Sequence, residues 1–399
     1  MLKIAWRNVL RNKRRSLLSL LIISIGVAVL FLVNGYIRAT FEGLKYMAVS
    51  QYGNLQIAAG NFWDNDNQRH LLSKTDLEKV ERLLASRPEV QSYTRVLGVN
   101  GIIGTEKNST VIAGSGIEPG NDQGQNIMIT SGINLFPDDI DKVLLGKGVM
   151  QKLGVEEGEW VSLMTTTLDG AYNAGSLQVS GSFTAGNSEA DNVYINLPVS
   201  YAQSLLNTEG VDKVVVGLEE IKDTDSTAVW LREQFSNNGL DLEIKTWFDL
   251  AEYYKQVRGL YEIIFHFMAV VIFFLVLTSV LEIMSMAFFE RMNEIGTIRS
   301  IGTKRHQIFS LLTMEGMITG ITGGFIGLLA GYGVGRFINQ LHLTYSAPSL
   351  SEPAPLSFDL SLANGMFPFV IVVSATLVSA FYPAFKASRL NIVEILRHK

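Results

Sequence analysis

The sequence predicts a polytopic α-helical membrane protein: four transmembrane helices carrying a large extracytoplasmic α+β domain, built as two lobes. Three observations predict it. One long apolar run lies near the start and three lie towards the end, with over two hundred mostly polar residues between the first and the second. Basic residues gather beside those runs, whereas the long intervening stretch is acidic. Within that stretch, helical and strand-like periods alternate between glycine- and asparagine-rich breaks.

Residues 1–15 form an amphipathic arm with Lys3, Arg7, Arg11, Lys13, Arg14 and Arg15 and no acidic residue. The first span, 16–37, is uncharged for 22 residues from Ser16 to Ile37, enough for a helix to cross a hydrocarbon core about 30 Å thick. It outlasts the apolar region of a signal peptide, about 7–15 residues. No Ala-x-Ala pattern follows, so it reads as a retained helix. The arm's positive charge keeps it cytoplasmic.

The extracytoplasmic domain occupies 38–255. From Ser73 to Pro88 a capping residue, then Leu77, Val80, Leu83 and Leu84 on one face, then proline, describe a surface helix. Strands are expected at Tyr93–Val99, Gly101–Thr105, Ser109–Ala113, Trp160–Thr167, Ser176–Val179, Val193–Ile195 and Lys213–Leu218. Helices are expected at Lys147–Leu153, Val199–Leu206 and Ser226–Asn237. The glycine- and asparagine-rich stretch Gly114–Gly132 reads as the junction between lobes.

A stalk and second span occupy 256–287, in a helix expected to run without interruption from Phe248. Residues 288–308 then give a short amphipathic helix. Glu290 and Glu294 lie one turn apart, Ile295, Ile298 and Ile301 recur on another face, and Gly302 breaks the run. The third span, 309–336, is uncharged from Gly316 to Gly335. In it Gly316, Gly320 and Gly324 are spaced by four, as are Gly323, Gly327, Gly331 and Gly335, so another helix can approach closely. That helix is a neighbouring span or a second copy, and the neighbouring span is favoured. A loop (337–360) without Lys or Arg precedes the fourth span (361–385) and a basic cytoplasmic tail (386–399) with Lys386, Arg389, Arg397 and Lys399. Four spans return both termini to the cytoplasmic side.

Charge excludes some functions. Between Arg38 and Arg258 stand 18 basic and 30 acidic residues, a net of −12, while the whole chain carries −5 and the remainder therefore +7. The basic residues border spans instead of forming a soluble basic surface, which argues against nucleic acid. With no cysteine, the outer domain depends on its core rather than on disulfides. A Gly-x-x-x-x-Gly-Lys-Ser/Thr loop is absent, and Gly146-Lys147-Gly148 lacks its spacing. The five histidines have no metal-ligand spacing, so neither a catalytic nor a metal site is expected. Glu262, His266, Glu282 and Glu315 lie near span ends, where water is expected to reach the carboxylates and His266 to hydrogen-bond to Glu262.

The string ER-x-x-EIG-x-IRSIG from Glu290 to Gly302, followed by Glu315-Gly316, resembles the cytoplasmic loop of the ABC-transporter permeases of the MacB, FtsX and LolC/LolE superfamily. The N-terminal AWRNVLRNKRRS and the C-terminal YPAFKASRLNIVEILRHK resemble that superfamily too. So do VLLGKGVMQKLGVEEGEWVSL and VYINLPVSYAQSLL in the outer domain. The likeness covers essentially the whole chain.

The resemblance implies a coupling helix resting on a separate ATP-hydrolysing subunit, with Glu290, Arg291, Glu294, Ile295, Gly296, Arg299 and Gly302 matching its motif. It implies no cofactor in this chain, with ATP and Mg on an ATPase subunit dimer. A second permease subunit, identical or related, completes the complex, and a periplasmic adaptor or carrier is a further candidate partner. The expected work is mechanotransmission from an inner-membrane position, without passage of cargo through a pore. The first reading of the cargo is a lipoprotein or other amphiphile. The alternatives are a tripartite drug, toxin or peptide efflux motor and a regulator activating a cell-wall hydrolase.

Overall fold

The computed structural model describes residues 2–11, 13–64, 69–120, 127–346 and 353–389. The chain divides into two compact units. The first comprises Met1–Glu42, Val257–Thr344 and Pro355–Lys399; the second comprises Gly43–Gln256 and Tyr345–Ala354.

In chain order the elements are α1 (Leu2–Arg11), α2 (Lys13–Tyr52), β1 (Leu55–Ala59), α3 (Lys74–Ala85), β2 (Val90–Gly104), β3 (Ser109–Ile117), β4 (Met128–Gly132) and β5 (Lys142–Gly146). Next come α4 (Lys147–Leu153), β6 (Trp160–Thr166), β7 (Tyr172–Thr184), α5 (Ser188–Asp191), β8 (Tyr194–Pro198), α6 (Val199–Leu206), β9 (Lys213–Leu218), α7 (Thr224–Asn237), β10 (Leu242–Thr246) and α8 (Trp247–Leu250). The last are α9 (Glu252–Glu290), α10 (Met292–Ser300), α11 (Arg305–Gln340), the short β11 (Thr344–Tyr345) and β12 (Ala354–Pro355), and α12 (Leu362–Arg389).

The first unit is helical. Among the described residues α2, α9, α11 and α12 are long and apolar enough to span a membrane. Their packed side is a cluster around Ile23, Val27, Leu30, Val276, Val280, Val372 and Ala375. Their other sides expose large apolar groups such as Leu17, Ile25, Ile263, Phe267, Leu329 and Met366, the surface that hydrocarbon covers. At one end, a polar chain satisfies backbone groups that lipid could not. Asn34 Nδ2 donates to the Asn364 carbonyl at 3.1 Å, Asn364 Nδ2 to the Asp359 carbonyl at 2.8 Å, and the Asp359 amide to Gly35 at 2.9 Å.

The second unit holds the sheets. Strands β10, β1, β9 and the first half of β2 pair antiparallel. The helices α3 and α7 lay Leu77, Val80 and Leu84, and Ala228, Leu231 and Phe235, into the core of this layer. The second half of β2 enters a different arrangement. It pairs with β3 and β6; β3 with β8, β8 with β5, β5 with β7, and β7 with β6 again. The pairing path closes into a ring of six strands, so none of them is left as an open edge. Alternation on β6, with Val161, Leu163 and Thr165 buried and Trp160, Ser162 and Met164 exposed, points one residue in two into the ring's core.

Several boundaries differ from the sequence reading. The helix of the first span does not stop at Ile37: α2 continues to Tyr52, with no proline inside it, and Gly53 follows it with a φ of +72°. The rod expected from Phe248 is interrupted at Ala251, where ψ is 67° after the capping box of Thr246 and Asp249, and α9 starts at Glu252. Tyr93–Val99 and Gly101–Thr105 form one strand, β2. Gly114–Gly132 is not a linker, since much of it is β3 and β4, whereas β2 contributes to both the Leu97 and the Leu55 core clusters; residues 121–126 of that stretch lie outside the described residues. Residues 347–352 of the expected loop and 390–399 of the expected tail also lie outside them.

A pH effect follows from Lys213 on β9, whose Nζ donates to Gln56 Oε1 at 2.9 Å. Desolvation lowers its pKa from 10.5, and the neighbouring Asp212 only partly opposes this. The unfolded chain then holds that proton more tightly than the folded one, so this group's contribution to stability rises with pH from the lowered value up to 10.5. Lys213→Met should flatten the rise: between pH 8 and pH 10, thermal melts of the variant should gain less, or lose more, than those of the wild type. Parallel shifts in the two proteins would contradict the assignment.

Candidate functional site

The chain turns at Arg291, between the end of α9 and the start of α10, with backbone angles of −95° and 9°. Nine residues later α10 ends, and Gly302 adopts a φ of +106°, which favours glycine strongly over any residue with a Cβ. The helix is therefore a short segment set between two backbone breaks. Its inner side rests on Ile295, which packs with Phe288, Ile308, Met292 and Leu312; Gly296 and Arg299 are also buried. Its outer side presents Asn293, Thr297, Ile298 and Ser300, followed by Ile301. Ile298 is 43% and Ile301 82% exposed, two isoleucines three residues apart.

The acidic groups of this segment face the N-terminal arm. Arg15 pairs with Glu290. Arg11 Nη2 lies 3.1 Å from Glu294 Oε2. Both side chains of the second pair are about 60% exposed, so it contributes at most about 1 kcal/mol. Deeper in, Glu315 on α11 receives two groups. Asn8 Nδ2 donates to Oε1 at 2.6 Å, and Arg291 Nη1 approaches both oxygens at 3.3–3.4 Å. The Arg291 and Glu315 side chains are only 12% and 11% exposed.

The structure thus brings Glu290, Arg291 and Glu294 together with three residues of the arm, whereas Ile295, Gly296 and Arg299 point inward and Gly302 shapes the turn. Asn8 was not singled out by sequence reasoning, and Arg11 and Arg15 registered only as positive charge. Glu315 is not water-exposed as its place near a span end suggested; it is 9% exposed and partnered. His266 Nδ1 lies 2.6 Å from the backbone carbonyl of Glu262, and the Glu262 carboxylate pairs with Arg258 instead.

The spaced glycines of α11 divide between two neighbours. A Cβ at Gly316, Gly320 or Gly324 would meet Ala380, Thr376 or Phe369 of α12, at 2.5, 3.2 and 2.6 Å. One at Gly323, Gly327 or Gly331 would meet Ile23, Ser24 or Phe31 of α2, at 2.8, 2.5 and 2.9 Å. Both seams lie within one chain. Ser24 Oγ adds a 2.9 Å bond to the Gly323 carbonyl across the second. Among the described residues no group of three or more His, Asp or Glu could hold a metal.

Comparison with known proteins agrees with this architecture. The family model of the MacB-like periplasmic core domain matches residues 16–234, and that of the FtsX-like permease C-terminal domain matches residues 266–392. The chain belongs to the MacB/FtsX/LolC superfamily of ABC-transporter permeases. A lipoprotein-releasing system transmembrane protein LolC of Xylella fastidiosa is 22% identical over 98% of this chain and 97% of its own length. The LolC of Neisseria meningitidis is 24% identical over 84% and 80%. An uncharacterized ABC transporter permease of Methanocaldococcus jannaschii is 24% identical over 53% of this chain, which spans about half (52%) of that relative. The crystal structure of the periplasmic region of MacB from Actinobacillus actinomycetemcomitans is 16% identical, with a TM-score of 0.39 over 52% of this chain and 94% of that one.

Proposed function

We propose that this chain is the transmembrane permease subunit of an ATP-driven transporter that extracts or exports a lipoprotein or another amphiphile from the inner membrane. The observation that carries the reading is similarity to LolC along nearly the whole chain, in a protein whose α10 stands between two membrane helices with Ile298 and the following Ile301 exposed. Both termini and α10 face the cytoplasm, in keeping with the basic arm and the basic flanks of the short loop, and the sheet-rich unit lies outside. ATP and Mg act on a separate ATPase dimer. A second permease, identical or related, completes the pair. Spans with few polar residues suit a lipid-linked cargo that enters sideways, and force reaches the outer unit by mechanotransmission. Depleting the protein should leave lipoproteins retained in the inner membrane on fractionation; normal distribution would contradict the assignment, and loss of drug efflux in its place would favour a tripartite export motor.

The ATPase docks on Ile298 and Ile301, the exposed apolar groups of the segment, while Glu290 and Glu294 serve to hold the arm beside it. Interface energy concentrates in a few well-packed, desolvated anchors, the strongest worth about 2 kcal/mol or more, and a buried charge in place of an apolar anchor is costly. The double variant Ile298→Glu/Ile301→Glu should therefore reduce ATPase co-purification by at least about tenfold, with the permease itself recovered at wild-type yield. Unchanged co-purification would place the docking surface elsewhere.

A further inference from the structure

The segment α10 is bounded by two backbone breaks, at Arg291 and at Gly302, and a helix so placed can tilt on its own when pushed. Packing on Phe288, Ile308 and Leu312 resists this only through apolar contact, which slides easily. One polar constellation does not slide. The Glu315 carboxylate sits on α11, ten residues beyond that helix's start, and takes the Arg291 guanidinium from the entry to α10 and the Asn8 amide from α1. Arg291 and Asn8 lie 24 and 307 positions from Glu315 in sequence, so one carboxylate holds the entry to α10 and the N-terminal α1 against α11.

We infer that Glu315 is a positioning residue for force transfer, a latch through Arg291 and Asn8 that makes α10, α11 and α1 move as one body. The inference rests on the reading of α10 as the ATPase-docking segment. The Arg291–Glu315 pair is almost closed to water and has a second donor at the carboxylate, so its geometry is fixed more firmly than that of the exposed Arg11–Glu294 pair. A push on α10 that reaches Arg291 is handed to the third span at Glu315. Without the latch the same push is spent in rotation about Arg291 and Gly302.

The chain has no cysteine, so spin labels can be introduced at two sites without altering other residues. Ser300→Cys at the end of α10 and Gly333→Cys on an open side of α11 make a suitable pair. Pulsed electron resonance on the full complex with its co-purified ATPase then reads one distance before and after trapping with ATP and vanadate. In the otherwise wild-type protein that distance should stay constant. In Glu315→Ala it should shift by more than about 2 Å, the scale of a helix displacement, while the ATPase still binds. The charge-swapped Arg291→Glu/Glu315→Arg should restore the constant distance, which a variant acting only through general stability would not do. If Glu315→Ala cannot be recovered from membranes, Glu315→Gln and the swapped pair are read in the same way. A constant distance in Glu315→Ala or Glu315→Gln, or a failure of the swap to restore it, overturns the latch. Failure of the wild-type chain to bind any ATPase overturns the transport reading beneath it and the latch with it.

Discussion

Gly327→Leu is expected to destabilise the membrane unit by roughly 3 kcal/mol or more and to leave little folded protein after detergent extraction. A Cβ at this position would lie 2.5 Å from the Ser24 carbonyl oxygen, 2.8 Å from Val27 Cβ and 3.0 Å from Ser24 Cα. Two of these three are backbone atoms of α2, which cannot swing aside as a side-chain tip can. The helices must separate, and separation also breaks the Ser24–Gly323 bond and the contact of Gly323 with Ile23. Between membrane helices close packing is itself the main attraction, because lipid offers no hydrophobic drive to pull them together again. Gly333→Ala is the control: nothing lies within 4 Å of its Cβ, and alanine favours the helix. Size-exclusion profiles after graded heating check both. A Gly327→Leu protein melting within about 2 °C of the wild type would mean that α2 and α11 do not meet at this residue.

How much of this was legible before the structure depended on what each segment buries. Helices α4 and α6 were readable to the residue, because Gly154 and Asn207 end them in left-handed conformations that few other residues adopt readily. Strands β1, β5, β10 and β4 were not foreseen. The first two are covered on both faces, so Leu55–Ala59 and Lys142–Gly146 lack the alternation that marks a half-exposed strand. Strand β2 read as two because of Asn100-Gly101, yet Gly101 belongs within it: the Met164 carbonyl of β6 leaves no room there for a Cβ. The extension of α2 past Ile37 was hidden by the loss of apolar character at Arg38, Glu42 and Lys45, through which the helix nevertheless continues. At the site, the four-residue spacing of Glu290 and Glu294 was visible, and the same spacing of Arg11 and Arg15 is its counterpart. The Asn8–Glu315–Arg291 contact had no local signal, because it exists only once three distant segments are packed.

In the second unit, Asp212→Ala should lower the melting temperature by about 4–12 °C, from a loss of about 2–3 kcal/mol in a domain of this size, less than for a fully buried pair because the Arg69 side chain is a third exposed. Asp212 stands just before β9 and is 6% exposed. Its Oδ1 accepts Arg69 Nε at 2.7 Å, and its Oδ2 accepts both Arg69 Nη2 and the Gly98 amide at 2.6 Å. Arg69 Nη2 also donates to the Gly98 carbonyl at 2.6 Å. Gly98 lies in the middle of β2, where that strand leaves the layer shared with β9 for the six-stranded ring. The carboxylate therefore pins β2 at the point where it passes from the layer to the ring, and its removal leaves the Gly98 amide without its acceptor and Arg69 with the Gly98 carbonyl but no counter-charge here. Removing the charge on both sides with Arg69→Met/Asp212→Leu should recover part of the loss, because no uncompensated ion then remains. Melting of the full chain, followed by circular dichroism, measures all three proteins. A single variant as stable as the wild type, or a double variant worse than the single, would show that packing alone fixes β2 at this crossing.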